Sequence, residues 1–567
     1  MGQHTKLTTL IGLIFVIASL SQQITPTNGA NILGIFTSHS PSHLIVHMSV
    51  MKVMAERGHN VTVVLTQKPK VTHKDINVII IPPSAENEES LNREVSGMAL
   101  KKNSFITTIS NIFGSLGLLI DMQKDALQDP RFTALYDNPQ YDLVVIGFFF
   151  NTFELGAAAK FKAPLAISWS GPSMAMTDAL IGNPLEIAYV PNINMAVKAG
   201  EKMSLLQRIQ NVFMNGFMDI VMSVLNIKME RFYSELFPND GNFPTLKDMM
   251  KNVSLVLVNG HFSEGPIRPN VPALVEIGGI QVKDVPDPLP KDIADFLDGA
   301  NEHGAILFSL GSNLKGSSIK PETATYIYNV LSKLKQKVIW KWEDLENTPG
   351  NSPNILYKKW MPQDDILAHR NMRLFITHAG KGGVVEAQYH GVPMLALPVF
   401  ADQHGNAQKV VKAGYGRQLE LLSLTEEALR ENVLEVLNNP VYSKNVKEFS
   451  QLYRDRPLSA RENAAFWLEY VIRHRGAAHM QSPLVHMNFI ESNNLDVFAI
   501  LLGVVYVLYR IFRLVFCLML RKIFKKKSCN AAKDKTKKKR ELIQQKLLAR
   551  GIQISTIPVF FYNKFVG

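Results

Sequence analysis

The chain of 567 residues carries 61 Lys and Arg against 49 Asp and Glu, a formal net charge of +12. Residues 521–567 hold 14 of the basic residues and two of the acids, so residues 1–520 balance at 47 against 47. Because the excess charge is confined to a tail, the composition argues against a nucleic-acid partner. The length suffices for two domains with appendages.

The N-terminus has the layout of a cleavable secretory signal. Lys6 precedes an apolar run, Leu10 to Leu20, and small polar residues follow as far as Gly29. This order of a basic, an apolar and a small-residue region predicts a signal peptide over residues 1–29.

A second apolar stretch lies near the C-terminus, at residues 497–520, interrupted only by Arg510 and Arg513. Its length fits a transmembrane helix, which needs roughly 20 residues. The basic segment 521–567 follows at once, so the positive-inside rule predicts a cytosolic tail and a large lumenal body. Membrane lipid is therefore a predicted partner, and residues 481–496 are predicted to be juxtamembrane.

The cysteines and glycosylation motifs agree with this topology. Cys517 and Cys529 are the only cysteines in the sequence, so the lumenal body has no disulfide and depends on its core. Asn60 and Asn252 begin N-x-S/T motifs and are candidates for N-glycosylation.

The first half, residues 30–283, alternates strands and helices. A strand at 30–36, a helix at 43–57 with Ser42 as N-cap, and a strand at 59–65 form a β-α-β unit, which predicts a parallel sheet. The pattern continues with the following predicted elements: strands at 141–147, 163–168, 253–259 and 275–280, and a helix at 152–161.

Three histidines, His39, His43 and His47, follow one another at four-residue spacing. Pro41 argues against one continuous helix through all three, and the sequence contains no HExxH motif, so we predict no metal site. Of the three, His43 is the candidate for a general base. It lies near a helix N-terminus at the strand ends, where a neutral imidazole can accept a proton. A capping or solvent-exposed histidine is the alternative.

Residues 203–237 place Met, Phe, Leu and Ile at helical spacing with few charges. The pattern favours a core helix. The wall of a pocket for lipophilic molecules, or a membrane contact, stays open as the alternative.

Residues 284–290, DVPDPLP, predict a linker, and a second α/β half follows at 291–480. Its predicted strands include 305–309 and 337–342, and its last helices fill 424–438 and 443–474.

Residues 375–406 of this half combine a strand end, the glycine-rich turn HAGKGG, and a helix over 384–390 that Gly391 ends. Such a turn directs backbone N–H groups and a helix N-terminus at one point, which suits a phosphate or diphosphate. The turn does not complete G-x-G-x-x-G, so a dinucleotide-dependent oxidoreductase is disfavoured.

The motif Trp360-Met361-Pro362-Gln363, together with the 375–406 stretch, resembles the signature of UDP-glycosyltransferases. Arg57-Gly58-His59 and Ile277-Gly278-Gly279-Ile280 extend the resemblance over nearly the whole chain, and the insect branch is the most similar. The resemblance implies the α/β GT-B fold, two Rossmann-like domains facing a cleft. It also implies inverting transfer of a hexose, glucose in the insect branch, from a UDP-sugar to a small lipophilic acceptor with a hydroxyl group. The expected compartment is the endoplasmic reticulum membrane, in a single-pass type I orientation.

The resemblance also implies roles for individual residues. The catalytic base of the family precedes the histidine of the R-G-H pattern by sixteen residues, which corresponds to His43. The implied donor-binding residues are Ser312, Trp360, Gln363, His378, Gly380, Gly382, Gly383, Glu386, Asp402 and Gln403. Trp360 stacks on uracil, Glu386 holds the ribose, and Asp402 and Gln403 hold the sugar. UDP-glucose enters as co-substrate, no metal is implied, and a homo-oligomer stays open.

Two positions depart from the family pattern. Gly147 stands where an acid that orients the base is common, and neither Asp142 nor Glu154 is a clear substitute for it. Lys381-Gly382 replaces a more usual Thr-Asn pair, and Lys381 could supply a charge. Gly147 motivates the alternative of a membrane-anchored nucleotide-sugar- or lipophile-binding protein with weak or lost transfer.

Overall fold

The computed structural model describes residues 29–100, 105–137, 140–193, 195–197, 200–238, 241–311, 316, 319–399 and 402–551. The predicted signal peptide, except Gly29, and Ser312 lie outside the described residues. The chain divides into a compact unit ending at Val485 and a second unit beginning at His486.

The first half of the larger unit is a seven-stranded sheet in the order β3-β2-β1-β4-β5-β6-β7. Every neighbouring pair is parallel, which confirms the predicted sheet. The central strands are buried on both faces, as their continuous Val, Ile and Leu runs require in a parallel sheet. The strands are β1 (Asn31–Phe36), β2 (Asn60–Leu65), β3 (Ile76–Ile80), β4 (Leu143–Gly147), β5 (Leu165–Trp169), β6 (Val253–Val258) and β7 (Leu274–Glu276).

Helices connect these strands. They are α1 (Pro41–Glu56), α2 (Ala85–Leu100), α3 (Phe105–Gln128), α4 (Pro130–Thr133), α5 (Gly156–Phe161), α6 (Ala175–Ala179), α7 (Leu205–Leu236) and α8 (Leu246–Met250). Helix α1 begins two residues before the predicted start. Ser40, not Ser42, is its N-cap, and Pro41 occupies the first turn, where its missing N–H costs no hydrogen bond. His43 is therefore the third residue of the helix.

The second half is a six-stranded parallel sheet in the order β10-β9-β8-β11-β12-β13. Its strands are β8 (Ala305–Ser309), β9 (Lys337–Lys341), β10 (Ile355–Lys358), β11 (Met372–Thr377), β12 (Met394–Ala396) and β13 (Gly416–Gln418). Its helices are α9 (Lys291–Asp298), α10 (Pro321–Leu331), α11 (Gln363–Leu367), α12 (Lys381–His390), α13 (Gln403–Lys412), α14 (Glu426–Asn438), α15 (Pro440–Arg454) and α16 (Ala460–Arg473).

The predicted helix over 443–474 is two helices, α15 and α16, separated by a segment that contains Pro457. Helix α16 packs back onto the first half. Arg461 pairs with Glu56, and the Asn463 amide donates to the carbonyl of Glu276 at 3.1 Å. The end of the second half thus fastens the two sheets together.

The second unit contains α17 (Phe489–Ser492) and α18 (Leu495–Leu548), and α18 includes the predicted transmembrane stretch. Among the described residues, α7 and α18 are long and apolar enough to cross a membrane. The prediction that 203–237 is a core helix is wrong over much of α7. Most of its large apolar side chains are exposed, because the periodicity that predicts a helix does not reveal what covers each face.

Candidate functional site

Each sheet has one point at which the strand order reverses, between β1 and β4 and between β8 and β11. Open α/β sheets bind ligands outside the carboxyl ends of strands at such points. His43 follows β1 and Gly147 ends β4, while Gly311 follows β8 and His378 follows β11. We call the loops after β1 and β4 the His43 half, and the loops after β8 and β11 with α11 to α13 the glycine-turn half.

The His43 imidazole lies among aromatic rings. Its centroid is 5.0 Å from that of Phe149 and 6.1 Å from that of Trp169. Its Nδ1 atom is enclosed and has no hydrogen-bond partner. Burial lowers the pKa of His43 to about 4, so the ring is neutral at pH 7.

Gly147 faces His47 and Phe36. A Cβ atom built on Gly147 would lie 2.9 Å from His47 Cδ2 and 2.9 Å from Phe36 Cδ1. The His47 ring stacks on Phe36 at 5.1 Å, and its Nδ1 lies 2.8 Å from the Ser168 hydroxyl. His47 therefore fills the space that a side chain at position 147 needs, a packing role that the histidine spacing alone did not predict.

The two carboxyl groups nearest to Gly147 in sequence, those of Asp142 and Glu154, form hydrogen bonds with partners other than His43. Asp142 accepts a hydrogen bond from the Asn31 backbone N–H at 2.8 Å, at the amino end of β1 and so at the opposite edge from His43. Glu154 accepts a hydrogen bond from the Thr37 hydroxyl, and burial raises its pKa to about 8. Within the described part of the chain, no carboxylate forms an ion pair or hydrogen bond with His43.

The glycine turn begins α12 three residues earlier than predicted, at Lys381, with Gly380 as N-cap. Gly382 and Gly383 therefore belong to the first helical turn, whose N–H groups lack intrahelical partners and can face an anion. The helix ends at Gly391 in the left-handed conformation, as predicted. Ala379, in the turn, has φ 60°, and Phe150, in the loop beside His43, has φ 54°. Left-handed non-glycine residues cost about 1–3 kcal/mol each and concentrate at functional sites.

His378 lies between two glycines. A Cβ atom on Gly311 or on Gly380 would come within 2.4 Å of its ring. Its Nδ1 has no partner, and burial, with a smaller contribution from Lys341, lowers the pKa of His378 to about 4. The Lys341 ammonium donates to the Gly311 carbonyl at 2.6 Å and so holds this loop. The sequence interpretation missed Lys341, although its place at the end of β9 puts it at the ligand edge of the sheet.

Gln363 and Glu386 form a pair. The Gln363 amide donates to Glu386 Oε2 at 2.6 Å, and it would lie only 3.2 Å from a Cβ atom on Gly383. Burial, and then the Asp364 carboxylate, raise the pKa of Glu386 to about 8. Trp360, just before α11, is 55% exposed, which leaves an aromatic surface available to a flat ligand.

Asp402 and Gln403 begin α13. The Asn406 amide donates both to Asp402 Oδ2 at 2.7 Å and to the Ala379 carbonyl at 3.1 Å, so this helix is joined to the glycine turn. Gln403 Oε1 accepts a hydrogen bond from the Val399 backbone N–H at 2.8 Å.

Lys381, in the second half of the larger unit, contacts the first half. Its ammonium lies 2.7 Å from Glu264 Oε1, in the segment after β6 of the first sheet, and both side chains are mostly buried. Nearby, Lys409 donates to the Ile193 carbonyl at 2.7 Å. These contacts show that the carboxyl ends of the two sheets face each other across a cleft.

The two candidate N-glycosylation sites are both exposed. Asn252 is exposed just before β6, and Asn60 is exposed at the start of β2 with its amide 2.8 Å from Asn31 Oδ1. The described ranges contain no group of three or more His, Cys, Asp or Glu side chains arranged to hold a metal ion.

Comparison with known proteins agrees with this arrangement. Residues 32–530 match the family described as "UDP-glucoronosyl and UDP-glucosyl transferase". UDP-glucosyltransferase 2 of Dactylopius coccus is 34% identical over 86% of this chain and 93% of its own length. UDP-glucuronosyltransferase 2B17 of Rattus norvegicus is 30% identical over 81% of this chain and 88% of its own.

Among solved structures, the calicheamicin glycosyltransferase CalG4 superimposes with a TM-score of 0.50 at 18% identity, over 79% of this chain and 99% of its own. The glycosyltransferase VinC, solved in complex with DTDP, gives 0.50 at 16%, over 78% of this chain and all of its own. At such identities the likeness concerns the fold, which is GT-B as predicted. The chain therefore belongs to the UDP-glucuronosyl and UDP-glucosyl transferase family and is a UDP-glycosyltransferase.

Proposed function

We propose that the protein transfers glucose from UDP-glucose to the hydroxyl of a small lipophilic acceptor, with inversion, and that His43 is the general base. The observation that carries this proposal is the position of His43. It lies at the ligand edge of the first sheet, neutral at pH 7, with an unpartnered nitrogen among Phe149 and Trp169. Aromatic walls suit an apolar acceptor, and a neutral imidazole suits proton abstraction.

The reaction needs one proton transfer and one displacement. His43 takes the proton of the acceptor hydroxyl while the acceptor oxygen forms a bond to the anomeric carbon. The bond from that carbon to the diphosphate oxygen breaks, and UDP leaves as an anion. His378 and the first-turn N–H groups of α12 stabilise the leaving diphosphate, and no bound divalent ion is required for this charge.

The remaining donor contacts are proposed as follows. Trp360 stacks on uracil, with Gln363 at its edge, and Glu386 accepts hydrogen bonds from the ribose hydroxyls. Ser312 joins the diphosphate contacts, and Asp402 with Gln403 holds the sugar hydroxyls. These assignments rest on the family resemblance, and the Gln363–Glu386 pair and the exposed Trp360 support them.

A neutral sugar fits the cleft better than a carboxylated one. Lys381, at the start of α12, already has the Glu264 carboxylate as its partner. A glucuronate carboxylate would have to compete with Glu264 for this ammonium group. The name UDP-glucosyltransferase 2, borne by the insect relative, agrees with glucose.

We further propose that α18 anchors the protein in the endoplasmic reticulum membrane with its catalytic half-sites in the lumen. The helix is apolar over 497–520 and strongly basic immediately after it, which is the pattern of a type I anchor.

The test is transfer by the purified full chain from UDP-glucose to a panel of phenols and benzylic alcohols, with products identified by mass spectrometry. His43→Ala should lower kcat by about 10²–10⁴-fold, the usual contribution of a general base, and leave the Kd for UDP unchanged. His39→Ala is the matched control, because His39 precedes α1 and bonds Thr66. Saturable UDP binding with no transfer to any acceptor, or full activity in His43→Ala, would contradict the proposal.

A further inference from the structure

One face of α7 carries nine large apolar side chains that are 42–74% exposed, all within its first 23 residues. They are Leu205, Leu206, Ile209, Val212, Phe213, Phe217, Ile220, Val224 and Ile227. At about 100° per residue these positions fall in one stripe roughly 140° wide. At about 1.5 Å per residue the stripe is roughly 35 Å long. We call it the α7 stripe.

The α7 stripe is too large to be ordinary surface. Its exposed apolar area is on the order of 1,000 Å², whereas the largest apolar patch of a typical soluble monomer covers roughly 300–600 Å². Residues 205–227 contain only two charged side chains, Arg208 and Asp219, and both fall outside the stripe by helical phase. The stripe therefore requires an apolar partner.

The opposite face of α7 is fastened to the protein body. The Asn211 amide donates to the carbonyls of Ile187 and Val190, each at 2.8 Å, and the ring of Phe232 packs on that of Phe153 at 5.7 Å. At the edge of the stripe by helical phase, Lys228 pairs with Asp121 at 2.8 Å and adds a further attachment. Because this face is bound to the folded body, α7 cannot cross a bilayer, although its length and hydropathy would allow it.

We propose that α7 lies in the plane of a lipid bilayer, with the α7 stripe inserted among the acyl chains beneath the headgroups. The proposal rests on the anchoring through α18. That helix exposes every apolar side chain from Leu495 to Met519, so a chain that contains it is held at a bilayer. An amphipathic helix held there buries its apolar face roughly 5–10 Å into the interface.

A bilayer fits the stripe better than a second copy of the chain. Protein interfaces carry about one hydrogen bond per 100–200 Å² and a polar rim. The α7 stripe presents almost only aliphatic and phenyl groups along six turns, and acyl chains need no hydrogen-bond partner. The inference gives the protein two membrane contacts, one that crosses the bilayer and one that lies on it.

The experiment uses the full chain in phosphatidylcholine vesicles. Cys517→Ser and Cys529→Ser remove both native cysteines, which are exposed. Single cysteines are then introduced as Phe213→Cys or Ile220→Cys on the stripe, and as Asn226→Cys on the exposed side of the same helix outside the stripe. Each carries a polarity-sensitive fluorophore. UDP binding verifies that each variant is folded, and flotation with the vesicles verifies anchoring.

Lipid-attached quenchers should quench the probes at 213 and 220, and a quencher near the headgroup should act more strongly than one near the chain terminus. Iodide in the water should quench only the probe at 226. Equal access of iodide to all three probes would overturn the proposal. Protection from iodide without lipid quenching, with a disulfide-linked dimer of Ile220→Cys, would assign the stripe to a second copy instead. Loss of flotation would overturn the α18 anchor together with this inference, whereas loss of transfer alone would concern only the proposed function.

Discussion

The two halves of the cleft differ in how their side chains are held in place. In the glycine-turn half, polar side chains are already joined to one another, as Gln363 is to Glu386 and Asn406 to Asp402. In the His43 half, the ring neighbours of the imidazole among the described residues are Phe149 and Trp169, and its Nδ1 has no partner there. The glycine-turn half is therefore preorganised by hydrogen bonds, whereas His43, the proposed base, has aromatic neighbours and no bonded carboxylate among the described residues.

The largest effect expected in the glycine-turn half comes from Trp360→Ala. Stacking of an aromatic side chain on a base contributes about 1–3 kcal/mol. The Kd for UDP should therefore rise about 5- to 150-fold, measured by titration calorimetry. Stability should not change, because Trp360 is exposed.

The matched control is Leu452→Ala, which removes an equally exposed apolar side chain from α15. It should leave the Kd for UDP unchanged, as should His43→Ala. Weaker UDP binding in His43→Ala would show that the His43 half also contributes to UDP binding. An unchanged Kd in Trp360→Ala would contradict the stacking of Trp360 on uracil.

A smaller effect is expected at Gly147. In Gly147→Ala the new methyl group meets the His47 and Phe36 rings at 2.9 Å. Overpacking of this kind costs about 1–3 kcal/mol, so the apparent Tm should fall. Gly216→Ala is the control, because no atom lies within 4 Å of a Cβ there and alanine favours a helix interior. A Gly147→Ala variant as stable as the native chain would show that His47 does not fill this position.

Much of the fold of both halves can be predicted from the sequence. The central strands of both sheets are predictable because continuous Val, Ile and Leu runs between turn residues are typical of buried parallel strands, whereas the edge strands β3, β10 and β13 were not predicted. The GT-B fold and the family rest on motifs such as Trp360 to Gln363, whose spacing is visible in one chain. The turn around Gly380 was recognisable because its glycines favour a tight connection between a strand and a helix.

The errors have physical causes. Helix α12 begins at Lys381 rather than Val384, because glycine disfavours helix interiors but is tolerated in a first turn. The Lys381–Glu264 pair joins residues 117 positions apart, which no local pattern encodes. The exposed apolar face of α7 has the same periodicity as the buried face of a core helix. The sequence could therefore predict the helix but not whether this face packs against the protein.

We propose that His43 acts as a neutral base without a carboxylate partner. The direct measurement is the pH dependence of kcat/KM for a benzylic alcohol at saturating UDP-glucose, which reports the pKa of the base in the enzyme–UDP-glucose complex before the acceptor binds. Protonation removes the base, and burial lowers the pKa of His43 to about 4, so kcat/KM should stay flat from pH 7.5 to 5.5. Phe149→Asp, which places a carboxylate beside the ring, should raise that pKa and bring the fall into this range. A fall of about tenfold by pH 5.5 in the native enzyme, as for an ordinary histidine of pKa about 6.5, would contradict the account.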